Sequence, residues 1–512
     1  MGRQEGEYPM DQAVSAKVEI ASGKLQGVAR DGVLRFNGIP FAKPPVGDLR
    51  WRMPEPVEPW AGIRDASLFG NIAPQVASAS GAVLGGTPGT RSEDCLYLNV
   101  QTPGCDDARR PVMVWIHGGA FNTGAGSVGT YNGKFLVPRG DLVLVTINYR
   151  LGAFGFLNLA DATDGKLPGT GAEGLADQIA ALNWVKDNIA AFGGDPDNVT
   201  IFGESAGGMS VGALLAAPKA AGLYHKAIPQ SGAADIGYAR EVSARVARHV
   251  LDKLGTADPR TLPWETVLEV QKAILEAPRE LGIGMPFAPT IDGTILPRRA
   301  IECVAEGSAK GVALMTGTTR DEWKLFTIAA AHLKSMDEDA LRKMTARLAG
   351  AAQADAIVAA TTGGTPFDRW NAVMTDHSFF VPATRLLDAQ AAHGPTYAYR
   401  FDWPSPFMDG ALGACHALEL GFTFGTFRVK GAAPFFGEGP QAEALSDAMM
   451  DSWIAFANVG NPSNDTSGAW MRYDDKKRAT TIFGDGPAHV TSAPNEERRK
   501  AWEAVPSEKI GP

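Results

Sequence analysis

The stretch that most limits what this chain can fold into is 198–212, NVTIFGESAGGMSVG. A β-branched and aromatic run, Val199-Thr200-Ile201-Phe202, leads into Gly203-Glu204-Ser205-Ala206-Gly207, and a run of small residues follows. The pattern G-x-S-x-G between a strand and a helix demands a sharp turn, which puts the serine in a strained backbone conformation. Glycines two residues to either side leave room for the neighbouring chain to come close. The hydroxyl then stands at a helix N-terminus, whose dipole favours negative charge. A Gly- and Ser-rich turn reaches the same letters by chance. Whether Ser205 is a nucleophile therefore depends on what the rest of the chain supplies.

A turn of this kind needs a large buried sheet. The 512 residues, 45% hydrophobic and 21% charged, are enough to build one. The net charge of −9 argues against nucleic acid or an anionic membrane as partner. No apolar run approaches the roughly 18 residues of a transmembrane helix. The start, MGRQEGEYPMDQAVSAK, has no apolar signal core, so the expected location is cytoplasmic. The four cysteines, Cys95, Cys105, Cys303 and Cys415, show no C-x-x-C spacing. They read as free thiols of a reducing compartment rather than a disulfide frame.

Along the chain, residues 1–16 are polar and read as a frayed N-terminus. Short strands over 18–20, 24–29 and 33–39 suggest a small antiparallel start to a sheet. The proline-rich 40–59 reads as an extended surface segment, and 77–91 as a mobile Gly/Ser/Ala loop. From residue 96 the pattern becomes α/β. Apolar, β-rich runs at 96–101, 112–116, 142–148, 199–202, 226–230, 312–316 and 396–401 suit strands buried on both faces. Helical patterns at 175–191, 241–254, 264–276, 337–349, 383–392 and 442–459 alternate with them. Strands alternating with helices mean a mostly parallel sheet covered on both faces. No internal repeat or long linker separates domains, so 17–505 reads as one catalytic domain. A helical insertion at 320–395 is a candidate lid or gorge wall.

An active serine needs a base, an acid to orient that base, and an oxyanion hole. The chain order for a sheet of this type is serine, acid, histidine. Only eight histidines are present. His225 follows the serine too closely for an acid-bearing strand to intervene. His249, His332 and His393 sit in polar helical contexts, and His489 in a polar tail. His377 precedes two phenylalanines and is a candidate pocket residue. His416, in a short loop flanked by small residues, has the expected late position. The strand at 312–316 runs into Gly317-Thr318-Thr319-Arg320-Asp321-Glu322, and functional groups gather at strand C-terminal ends. Position alone does not separate Asp321 from Glu322 as the acid. The strand at 112–116 is followed by His117-Gly118-Gly119-Ala120-Phe121. The N–H groups of Gly118, Gly119 and Ala206 are the candidate oxyanion donors. A formal G-x-G-x-x-G at 169–174 follows no strand and is set aside. No H-E-x-x-H or calcium loop occurs, and no metal or organic cofactor is expected.

These segments together resemble the type-B carboxylesterase family, which includes bacterial para-nitrobenzyl esterases and the cholinesterases. The resemblance spans about 18–483. It is carried by Phe36-Asn37-Gly38-Ile39-Pro40, Glu93-Asp94-Cys95-Leu96, Trp115-Ile116-His117-Gly118-Gly119, Asn148-Tyr149-Arg150-Leu151-Gly152 and the elbow itself. It implies an α/β-hydrolase fold, Glu322 rather than Asp321 as the acid, and His416 as the base. It also implies that Ser231 and Glu419 support the histidine, and that Glu204 shapes the field beside Ser205. The chain departs from the family pattern in places. No cysteine precedes Cys95, and Ala73 stands at the usual partner's place. No tryptophan lies in 78–92, which makes choline esters an unlikely specific substrate. Trp323 replaces the usual glycine after the acid, and Pro229 an aliphatic residue.

The resulting expectation is a serine carboxylester hydrolase, working as a monomer or small homo-oligomer on small to medium apolar esters. Phe121, Phe326, Phe379, Phe380 and Phe422 are candidate pocket residues, and Phe424 a further aromatic of the same kind. Hydrolysis of amides, lactones or carbamates on the same triad is the alternative. A non-catalytic binding module is the more distant one.

Overall fold

The strand that precedes the His-Gly-Gly loop explains the architecture. In Arg110–Ile116 every residue after the first is buried. Val112, Val114 and Ile116 enter one core, while Met113 and Trp115 enter another on the opposite side. Side chains alternate along a strand, so a continuous apolar run must be covered on both faces.

The computed structural model describes residues 15–76, 86–256, 258–277 and 281–511. Its strands are β1 Ser15–Ile20, β2 Gly23–Arg30, β3 Val33–Pro40, β4 Ile63–Asp65, β5 Tyr97–Thr102, β6 Arg110–Ile116, β7 Val143–Ile147, β8 Gly194–Glu204, β9 Lys226–Gln230, β10 Ala313–Thr319, β11 Thr396–Phe401, β12 Ala479–Phe483 and β13 His489–Ser492. They form one 13-stranded sheet in the order β1-β2-β3-β5-β7-β6-β8-β9-β10-β11-β12-β13, with β4 paired to β2. The middle, from β7 to β12, is parallel throughout, and both ends are antiparallel apart from β4, which pairs parallel with β2. The fold is the α/β-hydrolase fold.

The helices that matter for the site are α1 Glu173–Asn188, α2 Ala206–Ala216, α3 Trp264–Glu276, α4 Pro366–Thr375, α5 Val381–Ala391, α6 Pro440–Val459 and α7 Glu496–Trp502. α1 and α2 pack on one face of the sheet and α6 on the other. A smaller apolar cluster joins α4 to α7, with Trp370, Val373 and Trp502 at its centre. Between β10 and β11 the chain is helical in several short pieces.

Some expectations shift in detail. Ser15 and Ala16 belong to β1 rather than to a frayed end, because they pair with Val28 and Gly27; residues 1–14 lie outside the described ones. Most of the loop expected at 77–91, namely 77–85, lies outside them too, while Arg91 bridges to Ile72. β12 and β13 went unforeseen. β12 carries two threonines and only one Ile-Phe pair, a weak apolar signal that the sheet neighbours complete. The helix at 351–360 and α4 were also missed, the second because its apolar face is short.

All four cysteines are free, with Cys95, Cys303 and Cys415 buried and Cys105 exposed. Ala73 and Cys95 are both buried side chains of one core. Among the described residues, no helix is long and apolar enough to cross a membrane.

Candidate active site

β8 delivers Ser205 at its C-terminal end, between β6 and β9 in the middle of the sheet. Ser205 has φ 56° and ψ −125°, and α2 begins at the next residue. A side chain in this region is strained, and the packing around it leaves no relaxed alternative. A Cβ on Gly203 would lie 2.5 Å from the Ile116 carbonyl oxygen, and one on Gly207 only 2.0 Å from it. Both glycines are therefore required by the close approach of β6 to the turn. α2 is buried at every position, which fixes the direction of its N-terminal amides.

The loop after β6 brings Gly118 against the same turn. A Cβ on Gly118 would meet the Glu204 carbonyl oxygen at 2.6 Å and Ser205 Cβ at 3.0 Å. Gly119 has φ 112°, and a Cβ there would lie 2.2 Å from the Thr123 carbonyl oxygen. The loop is tied down from behind. The Tyr149 hydroxyl donates to the His117 carbonyl at 2.8 Å, and the two rings stack at 4.5 Å. Burial pushes the His117 imidazole down to about 4, so it is neutral. Its Nδ1 lies 2.9 Å from the Gly118 carbonyl oxygen, to which it donates.

His416 arrives from a loop 211 residues away, by number, from Ser205. Its Nδ1 lies 2.6 Å from Glu322 Oε2, and Glu322 is fully buried. The other Glu322 oxygen accepts from the Thr319 backbone N–H at 2.7 Å. The neighbouring Asp321 points away, accepting from the Ala414 N–H and pairing with Arg320 and Lys324. Of the two carboxylates that position left open, Glu322 meets the imidazole, while Asp321 braces the loop. On the other side of the ring, Nε2 lies 3.0 Å from Glu204 Oε1 without a hydrogen bond between them, and that oxygen has no hydrogen-bond partner among the described residues. Burial alone would lower the His416 pKa. Glu204, Glu322 and Glu419 outweigh it and hold the imidazole above its ordinary value. Burial raises Glu204 and Glu419 above the carboxylate range.

Glu419 accepts from Gln230 at 3.1 Å, and Gln230 in turn accepts from the Trp453 indole at 3.0 Å. The Ser231 hydroxyl is buried and has no hydrogen-bond partner among the described residues. Ser231 therefore sits near the site, with φ 43°, without touching the histidine through its hydroxyl.

Ser205, Gly118, Gly119, Ala206, Glu204 and His416 all line one cavity of about 900 Å³. Phe326, Phe379 and His377 also line it. The other aromatic candidates are corrected by the structure. Phe121 is fully buried against Phe156. Phe422 stacks on Phe427 at 5.0 Å in the opposite core, and Phe424 packs on Trp115 there. Phe380 faces a separate small cavity beside β10 and β11. Adjacent residues of a helical turn point in different directions, which is why Phe379 reaches the site and Phe380 does not. Sequence reasoning missed Tyr131, Met209, Met285 and Met374 on the cavity wall. No motif singles out such residues.

Residues 14–502 match the model of the carboxylesterase family. Para-nitrobenzyl esterase of Bacillus subtilis (strain 168) is 39% identical over 483 residues, 93% of this chain and 96% of that one. The chain belongs to the carboxylesterase family. Phenmedipham hydrolase of Pseudarthrobacter oxydans is 37% identical, covering 92% of this chain and 95% of its own. The solved carboxylesterase EST55 of Geobacillus stearothermophilus superposes with a TM-score of 0.86 at 38% identity, covering 95% of this chain and 100% of that one. A solved PNB esterase gives 0.83 at 38%, covering 95% and 99%. This carboxylesterase is a serine carboxylester hydrolase, as its relatives indicate.

Proposed function

We propose that Ser205, His416 and Glu322 are the catalytic triad. Ser205 Oγ attacks the ester carbonyl carbon while His416 Nε2 takes its proton. Glu322 holds the imidazole in the Nδ1–H tautomer and offsets the imidazolium charge. The N–H groups of Gly118, Gly119 and Ala206 bind the oxygen that becomes negative. His416 then protonates the leaving alcohol. Water, deprotonated by the same imidazole, cleaves the acyl-enzyme and releases the acid. The observation that carries this reading is the 2.6 Å contact of His416 with buried Glu322, in a cavity whose floor is the strained Ser205.

In this proposal Glu204 and Glu419 tune the charge of His416, and Ser231 contributes by packing. The size and apolar walls of the cavity support small to medium apolar carboxylic esters as substrates. Residues 17–505 act as one catalytic unit, with 320–395 as a helical wall of the gorge. The enzyme works as a monomer or small homo-oligomer, and a reducing, cytoplasmic compartment suits its four free cysteines.

The test is a p-nitrophenyl acetate or butyrate assay paired with covalent labelling by an organophosphate. Wild type is expected to carry the adduct on Ser205, and Ser205→Ala to lose both adduct and turnover. Hydrolysis by Ser205→Ala at the wild-type rate would end the assignment.

A further inference from the structure

The chain changes its helical period beside the histidine. α4 starts on a capping box between Thr365 and Asp368 with Pro366 in its first turn. It then runs into a π turn, Asp376–Phe380, before α5. A π turn inserts one extra residue and re-aims the side chains that follow. Here it aims Phe379, which is 3% exposed, at the His416 imidazole, with ring centroids 4.8 Å apart. Phe326 approaches the same imidazole at 5.0 Å and stacks on Phe379 at 6.3 Å. Trp323, directly after the triad acid, packs on both phenylalanines. Its backbone N–H donates to Thr375 Oγ1 at 3.2 Å. One helical segment therefore touches the acid's loop and the base.

The far side of this turn is latched by the C-terminal segment. Asp376 is fully buried and takes a two-pronged ion pair from Arg498 on α7, whose guanidinium also donates to the Ala372 carbonyl. His377 donates from Nε2 to the Lys509 carbonyl at 2.9 Å, and the Gly511 N–H donates to the His377 carbonyl. Nothing in hydrolysis itself requires these contacts.

We propose that Phe379 is a positioning residue for His416, and that the Asp376–Arg498 pair fixes the π turn that presents it. The C-terminal segment thereby sets how well the base is aligned, from outside the cavity. The proposal rests on the reading of His416 as the base. Glu204 Oε1 stands 3.0 Å from its Nε2 without a hydrogen bond, and a ring packed against two tilted phenylalanines has little freedom to turn toward that carboxylate and away from the Ser205 side.

Two variants test it. Phe379→Leu removes the ring at similar bulk. Asp376→Asn with Arg498→Gln keeps an uncharged hydrogen-bonding pair and avoids stranding a buried charge. Misplacing a catalytic group by an ångström costs up to about a hundredfold, so a loss of about tenfold in kcat on p-nitrophenyl acetate is expected for Phe379→Leu. KM should stay within about twofold, the pattern of a lost transition-state alignment. The double variant, which touches no substrate, should show the same split with a smaller loss. The rate of Ser205 phosphonylation should fall in parallel, and the downfield proton resonance of His416 Nδ1–H should broaden. Phe379→Tyr, which keeps the ring, should restore kcat. Folded variants with unchanged kcat, phosphonylation rate and resonance would overturn the proposal, as would a fall in melting temperature alone. Phosphonylation of wild-type Ser205, lost in His416→Asn, checks the triad separately. A null result in the Phe379 variants with that control intact counts against the clamp and not against the base.

Discussion

Around Ser205, position is set by backbone that has no room to move; around His416, it is set by side chains from distant segments. The elbow needs Gly203 and Gly207 because the Ile116 carbonyl lies against both. The histidine is held by Glu322, faced by Glu204, and flanked by Phe326 and Phe379. A backbone site fails by steric overlap, which damages fold and activity together. A site built from buried charge and rings fails by misalignment or by altered titration, with the fold left standing. That difference can be broken or sharpened by substitution.

The largest effect is expected on the serine side. Gly207→Ala drives a methyl group to within 2.0 Å of the Ile116 oxygen. Relief requires the elbow to shift, with a destabilisation of about 3 kcal/mol or more. Urea unfolding and ester turnover should both collapse. Normal stability with normal turnover would mean that the turn is less crowded than the distances imply.

Glu322→Gln probes the other side. The amide keeps the shape but loses the charge that orients the imidazole. A kcat loss of about 10³- to 10⁴-fold is expected by analogy with triad acids elsewhere. Stability should move little, since a neutral group is easier to bury than a carboxylate. If the melting temperature fell as steeply as activity, the contrast between the two halves would not hold.

Glu204→Gln is subtler and has a sign. The Glu204 carboxylate favours the imidazolium and raises the His416 pKa. In the proposed mechanism the histidine works as a base only when neutral. Removing that charge should therefore lower the histidine pKa and move the acid limb of kcat/KM to lower pH, by about one unit. The pH profile on p-nitrophenyl acetate decides. An unmoved limb would mean that another group governs it.

Legibility in the sequence divides along the same line. The elbow, the His-Gly-Gly loop and the parallel strands were readable because local backbone needs force particular letters at fixed spacing. Glu322 and His416 lie 94 residues apart, and residue type alone left Asp321 standing as an equal candidate. The family resemblance favoured Glu322, and the direction of the loop supplies the physical reason, with Asp321 turned to Ala414 and Lys324. Phe379 and Phe380 are identical letters at adjacent positions, and a π turn decides which faces the cavity. Such a turn leaves no mark in hydrophobic period. The two core phenylalanines, Phe121 and Phe422, look like pocket residues in sequence because they flank motif residues; burial assigns them to packing instead.

The smallest effect concerns a buried charge that catalysis does not use. Asp235 is buried, and among the described residues neither of its carboxylate oxygens has a hydrogen-bond partner. Burial pushes its carboxyl up to about 7, against the pull of Arg385 and Arg299. It lies under the C-terminal segment, where a Cβ on Gly511 would come within 2.7 Å of its carbonyl oxygen. The unfolded chain releases this proton near pH 3.9, a typical free Asp value. Between there and about pH 7 the folded form holds more protons, so Asp235 makes stability fall as pH rises through that window. Asparagine cannot ionise and escapes the penalty. Asp235→Asn should therefore gain about 1 kcal/mol at pH 8, less than the full shift implies because the amide is also left without partners. At pH 4 it should gain nothing. Urea melts at the two pH values separate the cases. A loss at pH 8 would mean that Asp235 is ionised and held by Arg299 and Arg385.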